Sequence, residues 1–315
     1  MELTHLNQIA LNELRFEKID CIIACSGNQP RAYSLAREIH RDVSKKILLI
    51  PEGEEIKKHC IYTDIFKGYD FSIREIPVNS AGEIDKILHE LCNIRTRQIN
   101  IILDYSCMPK KWYAMVIDSI TRNNFPPERI NLFLSYTPKI FEKKGSRNSI
   151  HYLGPIILNR DGLNNKKPIS MIAALDHNHN TVLEAVSKVK PKKLTAFVPR
   201  CSHDPEYTQL VLDNNKSILS KLDRNNIITY EADRPEEINT LLTSYCLDER
   251  ISSEVMIVPQ GPKTFSMMSI LLSIRYPDVK LWEIILKDSK ISADHGHPAA
   301  NPVIVKVSFV NDELD

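Results

Sequence analysis

Glu254-Val255-Met256-Ile257-Val258-Pro259-Gln260-Gly261-Pro262-Lys263-Thr264-Phe265 reads as a buried strand, a tight Gly/Pro turn, a lysine and the start of an apolar helix. The same order of parts stands half a chain earlier, in Ile101-Ile102-Leu103-Asp104-Tyr105-Ser106-Cys107-Met108-Pro109-Lys110-Lys111-Trp112. A lysine in the turn after a parallel strand faces the crevice in which open α/β sheets bind ligands. These two stretches set the reading of everything around them.

Outward from them, apolar runs and amphipathic stretches alternate. Strands are predicted at 20–25, 47–50, 71–78, 99–104 and 130–135, and again at 169–175, 194–198, 227–231, 254–259 and 279–286. Helical periodicity fills the gaps; Ile84, Ile87, Leu88 and Leu91 share one face behind Ser80, a capping residue. The first, second, fourth and fifth strands of the two sets are all offset by about 150 residues, the mark of an internal duplication. Strand–helix alternation implies right-handed βαβ units and parallel sheets. The expected fold is therefore α/β, with two tandem Rossmann-like parallel-sheet domains, each in strand order 3-2-1-4-5. Residues 138–168 are richer in Lys, Arg, Asn and Gly. The expected division is 1–150 for the first domain, 151–168 for a linker holding a short strand, and 169–315 for the second.

The 315 residues suit two domains of about 150 each. Hydrophobic residues make up 43% and charged residues 26%, as in soluble globular proteins. A net charge of +1 gives no global attraction to nucleic acid or acidic membrane. The basic residues Lys139, Lys143, Lys144 and Arg147 read as a solvated linker. The seven cysteines are scattered and odd in number, which fits free buried thiols in a reducing compartment. Cys21 and Cys25 have no CxxC partner to complete a zinc site. The N-terminal residues mix charges with leucines and give no signal-peptide core, and no apolar run reaches about 18 residues. A cytoplasmic protein without membrane partners is expected.

In the order 3-2-1-4-5 the loops after strands 1 and 4 meet at the switch point. The candidate ligand-binding residues follow: Ser26, Asn28, Ser106 and Lys110 in the first half, and His177, Asn178, Gly261 and Lys263 in the second. Small residues let a phosphate approach, helix N-termini offer free N–H groups, and the lysines add charge. No GxGxxG and no GxxxxGK[ST] occurs, and nine glycines leave little room for one. No cofactor is expected. Asp176-His177-Asn178-His179, Cys201-Ser202-His203-Asp204 and Asp294-His295-Gly296-His297 hold ligand-type side chains, but at no familiar metal spacing, so no metal is assigned. His177 and His179 are the candidate general bases of an alternative reading, a metal- or His-dependent phosphodiesterase or nucleotide hydrolase. Trp112 and Trp282 read as core.

The strand, Gly-x-Lys and helix of residues 255–274 resemble the ligand-binding motif of the CARF family (CRISPR-associated Rossmann fold), whose turn is Gly-Thr-Lys. Gly261 and Lys263 match, while Pro262 stands in place of the Thr. In the first half only Lys110 matches. The resemblance implies a nucleotide second messenger or oligonucleotide as ligand, and a sensing or assembly subunit of a prokaryotic antiviral defence system. No nuclease or helix-turn-helix segment is left over, so the output would pass to a separate effector protein. The expected partners are that effector, the nucleotide and, in an assembly, a second copy of the chain.

Overall fold

The computed structural model describes residues 1–40, 43–53, 61–93, 96–139, 149–156, 163, 167–178, 181–287 and 300–311. The strands in chain order are β1 (Glu2–Ile9), β2 (Cys21–Cys25), β3 (Lys45–Pro51), β4 (Ser72–Ile76), β5 (Gln98–Asp104), β6 (Arg129–Tyr136), β7 (Ile150–Pro155), β8 (Ile169–Ala174), β9 (Lys193–Arg200), β10 (Ile227–Glu231), β11 (Glu254–Pro259), β12 (Lys280–Leu286) and β13 (Val303–Val310). They form a seven-stranded sheet, β1-β13-β6-β5-β2-β3-β4, and a six-stranded one, β10-β9-β8-β11-β12-β7. The protein is α/β. Five strands of each sheet are parallel and run 3-2-1-4-5, as the sequence predicts. Their apolar runs have the reason expected of parallel strands covered on both faces: every residue of β2 and of β11 is buried.

The helices that bear on the site are α1 (Ser34–Ile39), α2 (Thr63–Gly68), α3 (Ala81–Cys92), α4 (Lys110–Arg122), α5 (Thr181–Val189), α6 (Pro205–Asn214), α7 (Pro235–Ser252) and α8 (Lys263–Arg275). Ser80 caps α3 by accepting from the Glu83 N–H, and Ile84, Ile87, Leu88 and Leu91 are its buried stripe. α8 is buried from Thr264 to Ser273. Its serines stay satisfied by bonding to nearby carbonyls, Ser269 to Phe265 and Ser266 to Pro259. Among the described residues, no helix is long and apolar enough to cross a membrane.

The domain division differs from the one the sequence suggests. Unit 1 comprises Met1–Ile140 with Ile291–Asp315, and unit 2 comprises Phe141–Lys290. β7, expected inside a linker, is the antiparallel edge of unit 2's sheet and pairs with β12. β13, expected in the second domain, lies antiparallel between β6 and β1 of unit 1. In each half the strand after the fifth therefore joins the sheet of the other unit. Periodicity along a strand shows that it pairs, not with which edge. The sequence pattern does not reveal β1, because its charged and polar residues interrupt the alternation; its burial is only partial.

β13 is registered by a buried polar ladder. Asn131 Nδ2 donates to Asn100 Oδ1 at 2.8 Å, and Ser308 Oγ donates to Asn131 Oδ1 at 2.7 Å. Asn100 Nδ2 continues the line to the Lys18 carbonyl at 2.7 Å. Asn131 sits opposite both Asn100 and Ser308, so the ladder closes in one register only. A fragment spanning 141–290 contains all six strands of unit 2 and is expected to melt cooperatively alone. A fragment spanning 169–315 lacks β7, carries β13 without its sheet, and is expected not to. Circular dichroism melts of both decide this.

Five of the described cysteines, Cys21, Cys25, Cys92, Cys201 and Cys246, are buried, and Cys107 is half-buried. Cys21, Cys25, Cys92, Cys107, Cys201 and Cys246 are free thiols. Burial pushes Cys21, Cys92, Cys201 and Cys246 up to about 12 from an ordinary 9.0. In the unfolded chain these thiols ionise near pH 9 and bind fewer protons than the native ones. Their contribution is thus intact below pH 9 and falls away as pH rises towards 12, by about 1.4 kcal/mol per thiol per pH unit. Urea melts at pH 8, 9 and 10 are expected to show falling midpoints above pH 9, and these four thiols are expected to resist iodoacetamide at pH 8 in the native protein.

Candidate functional site

β2 pairs directly with β5, and β8 with β11, so each unit brings its strand-1 and strand-4 loops together. In unit 1 the meeting is close. A Cβ added to Gly27 would lie 2.9 Å from Cys107 Cβ and 3.0 Å from its Sγ, so only glycine lets the two loops touch there. Ser26 is buried, and its hydroxyl lies 3.1 Å from that of Thr63 at the start of α2. Asn28 follows, half-buried. Asp104 ends β5 and accepts from Ser106 N at 3.0 Å and Ser106 Oγ at 2.5 Å. Ser106 Oγ in turn accepts from Thr137 N at 2.8 Å. Its hydroxyl therefore fixes the turn leading into α4.

Residues not singled out in the sequence complete this crevice. Arg31 enters through the 3-10 turn Pro30–Tyr33, and its side chain is buried. Its Nε donates to Gln29 Oε1 at 2.5 Å and its Nη1 to the Thr137 carbonyl at 3.2 Å, and it lies 5.6 Å from the Tyr136 ring centroid. Burial works against its charge, but Tyr136, Cys107 and Asp104 outweigh that and hold its pKa above the ordinary value. Tyr33 and Tyr62 stand with ring centroids 5.2 Å apart. Burial, then Tyr33 and Cys107, push the Tyr62 phenol up. The only signal for Arg31 in the sequence is its place right after Pro30 in the strand-1 loop. Tyr62 and Thr63 give none, since they come in from another βα connection.

In unit 2, Asp176 is buried and accepts from Asn178 N at 3.0 Å and Asn178 Nδ2 at 2.6 Å. The pattern Asp-x-Ser in one unit and Asp-x-Asn in the other is the same side-chain turn. Asn214 and Asn215 clamp the carbonyls of His177 and Asp176 at 2.5 and 2.7 Å. His177 is half-buried against the buried Tyr207, ring centroids 5.9 Å apart. His179 lies outside the described residues, as do His295 and His297 and most of the basic run from Lys139 to Arg147. Gly261 serves packing: a Cβ there would meet Tyr230 Oη at 2.8 Å, the Leu175 carbonyl at 3.1 Å and Ala174 Cβ at 3.3 Å. The space that its missing side chain leaves is filled by the fold.

The two lysines occupy matching places. Lys110 is the first residue of α4 behind Pro109, and Lys263 the first of α8 behind Pro262. Neither helix has an acidic residue in its first turn. Cys201-Ser202-His203-Asp204 follows β9, where Asp204 Oδ1 caps α6 by accepting from Tyr207 N at 3.2 Å. Burial lowers the His203 pKa, with Asp233 and Asp204 acting the other way. Among the described residues, no three His, Cys, Asp or Glu side chains gather as a metal set. Trp112 is buried, with its indole N–H bonded to the Val78 carbonyl at 3.1 Å, and Trp282 lies half-buried in β12.

No protein-family model matches the chain, and neither does any curated protein. Among solved structures it is similar to a candidate universal stress protein from Pseudomonas aeruginosa UCBPP-PA14, over 86% of this chain and 94% of the other, at 13% identity and a TM-score of 0.25. Phosphoethanolamine N-methyltransferase 1 of Haemonchus contortus, solved with phosphoethanolamine and S-adenosylhomocysteine, aligns over 95% of this chain and 90% of its own, at 6% identity and a TM-score of 0.23. Likenesses this low carry no weight for fold or function. The α/β assignment stands on the strand order itself.

Gly261→Ala is expected to destabilise the protein by about 1–3 kcal/mol through overpacking. Adding Tyr230→Phe, which removes the nearest clashing oxygen, is expected to recover part of that loss. Urea denaturation of the single and double variants measures it.

Proposed function

We propose that the chain is a nucleotide-sensing or assembly subunit that binds a phosphate-bearing nucleotide at its switch points. Its output passes to a separate effector protein, in a prokaryotic antiviral defence system. One observation carries the ligand reading: in both units the strand-4 turn ends in proline followed by lysine at the first position of a long helix. A helix N-terminus is already the positive end of its dipole. A lysine at that position adds a second positive charge beside the dipole end. The same pairing of helix N-terminus and lysine in both units supports an anionic ligand such as phosphate. The Gly-x-Lys resemblance supports sensing over catalysis.

Lys263→Ala and Lys110→Ala are each expected to reduce nucleotide-induced thermal stabilisation, and the double variant to abolish it. Lys110→Glu, which reverses the charge, is expected to remove unit 1's share of the response to nucleotide. Unchanged stabilisation in the double variant sinks the site assignment. Turnover of a cyclic nucleotide that is lost in His177→Ala would replace this reading with hydrolysis.

A further inference from the structure

We infer that the switch-point crevice of unit 1 is a base-binding nucleotide site, with Tyr33 and Tyr62 as the platform for the base and Arg31 as the group that meets the phosphate. The inference rests on the nucleotide reading above and deepens it. It adds which unit reads the base, and with which residues.

The tyrosines come first. Tyr33 rests on the hydrophobic core with one side, as does Cys107, and both remain partly exposed. Tyr62 lies beside Tyr33, their rings tilted by 51°. The next residue, Thr63, reaches Ser26 with its hydroxyl, and Cys107 stands against Gly27. These contacts place the tyrosine pair near the loops at the carboxyl ends of β2 and β5. An aromatic surface in that position offers stacking to any nucleobase, because every base has a π-face.

The second observation is independent of the rings. Arg31 is the one buried arginine among the described residues. Its Nε and Nη1 donate to a side-chain amide and a main-chain carbonyl, it also hydrogen-bonds Tyr136, and Asp104 adds a nearby negative charge. These neighbours keep the buried guanidinium charged, so it can receive an anion without first gaining a proton. Thr137, whose carbonyl Arg31 grips and whose N–H Ser106 accepts, has a fully buried hydroxyl with no partner. A phosphate oxygen is the acceptor that a guanidinium of this kind is built for.

Among its described residues, unit 2 has neither part in this form. Tyr207, the ring beside His177, is buried and offers no open face, and the arginines of that unit are exposed or only half-buried among the described residues. The expected result is one base-dependent site per chain.

The test uses the full chain and isothermal titration with the four 5′-mononucleotides and, as the probe without a base, ribose 5-phosphate. At least one mononucleotide is expected to bind roughly tenfold or more tightly than ribose 5-phosphate, at one per chain. Tyr62→Ala is expected to erase that difference while leaving ribose 5-phosphate binding unchanged, and Tyr62→Phe to retain it. Arg31→Lys, which keeps the charge but not the fork, is expected to weaken both ligands alike. Matching thermal melts of the variants exclude misfolding. A base preference that survives Tyr62→Ala, or that is lost with Lys263→Ala instead, overturns the assignment to unit 1 and leaves nucleotide binding standing. No binding of any mononucleotide or of ribose 5-phosphate to the wild-type chain overturns both.

Discussion

Unit 1 depends on the seating of β13, a strand that the chain reaches only after passing through the whole of unit 2. Without it, β1 has no partner and β6 has a bare edge. Its apolar residues Ile304, Val305, Val307 and Phe309 supply burial, but burial alone tolerates many pairings. The Asn100–Asn131–Ser308 ladder removes that freedom. Three polar side chains are placed where leaving any of them unbonded is costly, and they are bonded to one another. A slip by one residue would separate Ser308 from Asn131 and turn the apolar set to the opposite face. The ladder is therefore a specification of partner and register more than a source of net stability.

The same economy of means shapes the two switch points, which share a plan and differ in content. Each is closed by an aspartate that gathers the N–H two residues ahead, and each ends in a proline–lysine helix start. Glycine serves close approach in both: Gly27 admits Cys107, and Gly261 admits Tyr230 and the Leu175 carbonyl. The polar groups of Ser106 and Asn178 hold the loops in shape. The side chains around the two loops differ: Arg31, Tyr33, Tyr62 and Lys110 in unit 1, His177 and Lys263 in unit 2.

Much of this architecture is legible in the amino-acid sequence. The apolar runs mark the central parallel strands because burial on both faces favours a continuous apolar composition, while the more exposed β4 and β10 follow from the strand–helix alternation. The offset near 150 residues holds because both units keep the same strand order. Edge strands are not legible in the same way: β7 and β13 show that they pair, but the identity of the partner depends on where the connection leads. β1 escapes notice because an edge strand with one wet face can carry His5, Asn7 and Gln8. At the site, the loop residues Ser26, Ser106, His177 and Lys263 follow from position alone. Arg31 is hidden in a helical pattern, and Tyr62 arrives from a connection that no local signal ties to strand 1.

The route of the chain has a consequence for synthesis. Unit 2 is one continuous stretch, Phe141–Lys290, set as a guest inside the sequence of unit 1. A ribosome therefore delivers every strand of the guest before it delivers the last strand of the host. The guest can close its core while the host still waits with β6 uncovered and β1 idle. The unit that begins first is finished last, and the exposed β6 edge in that interval is where a nascent chain of this design is most open to wrong pairing.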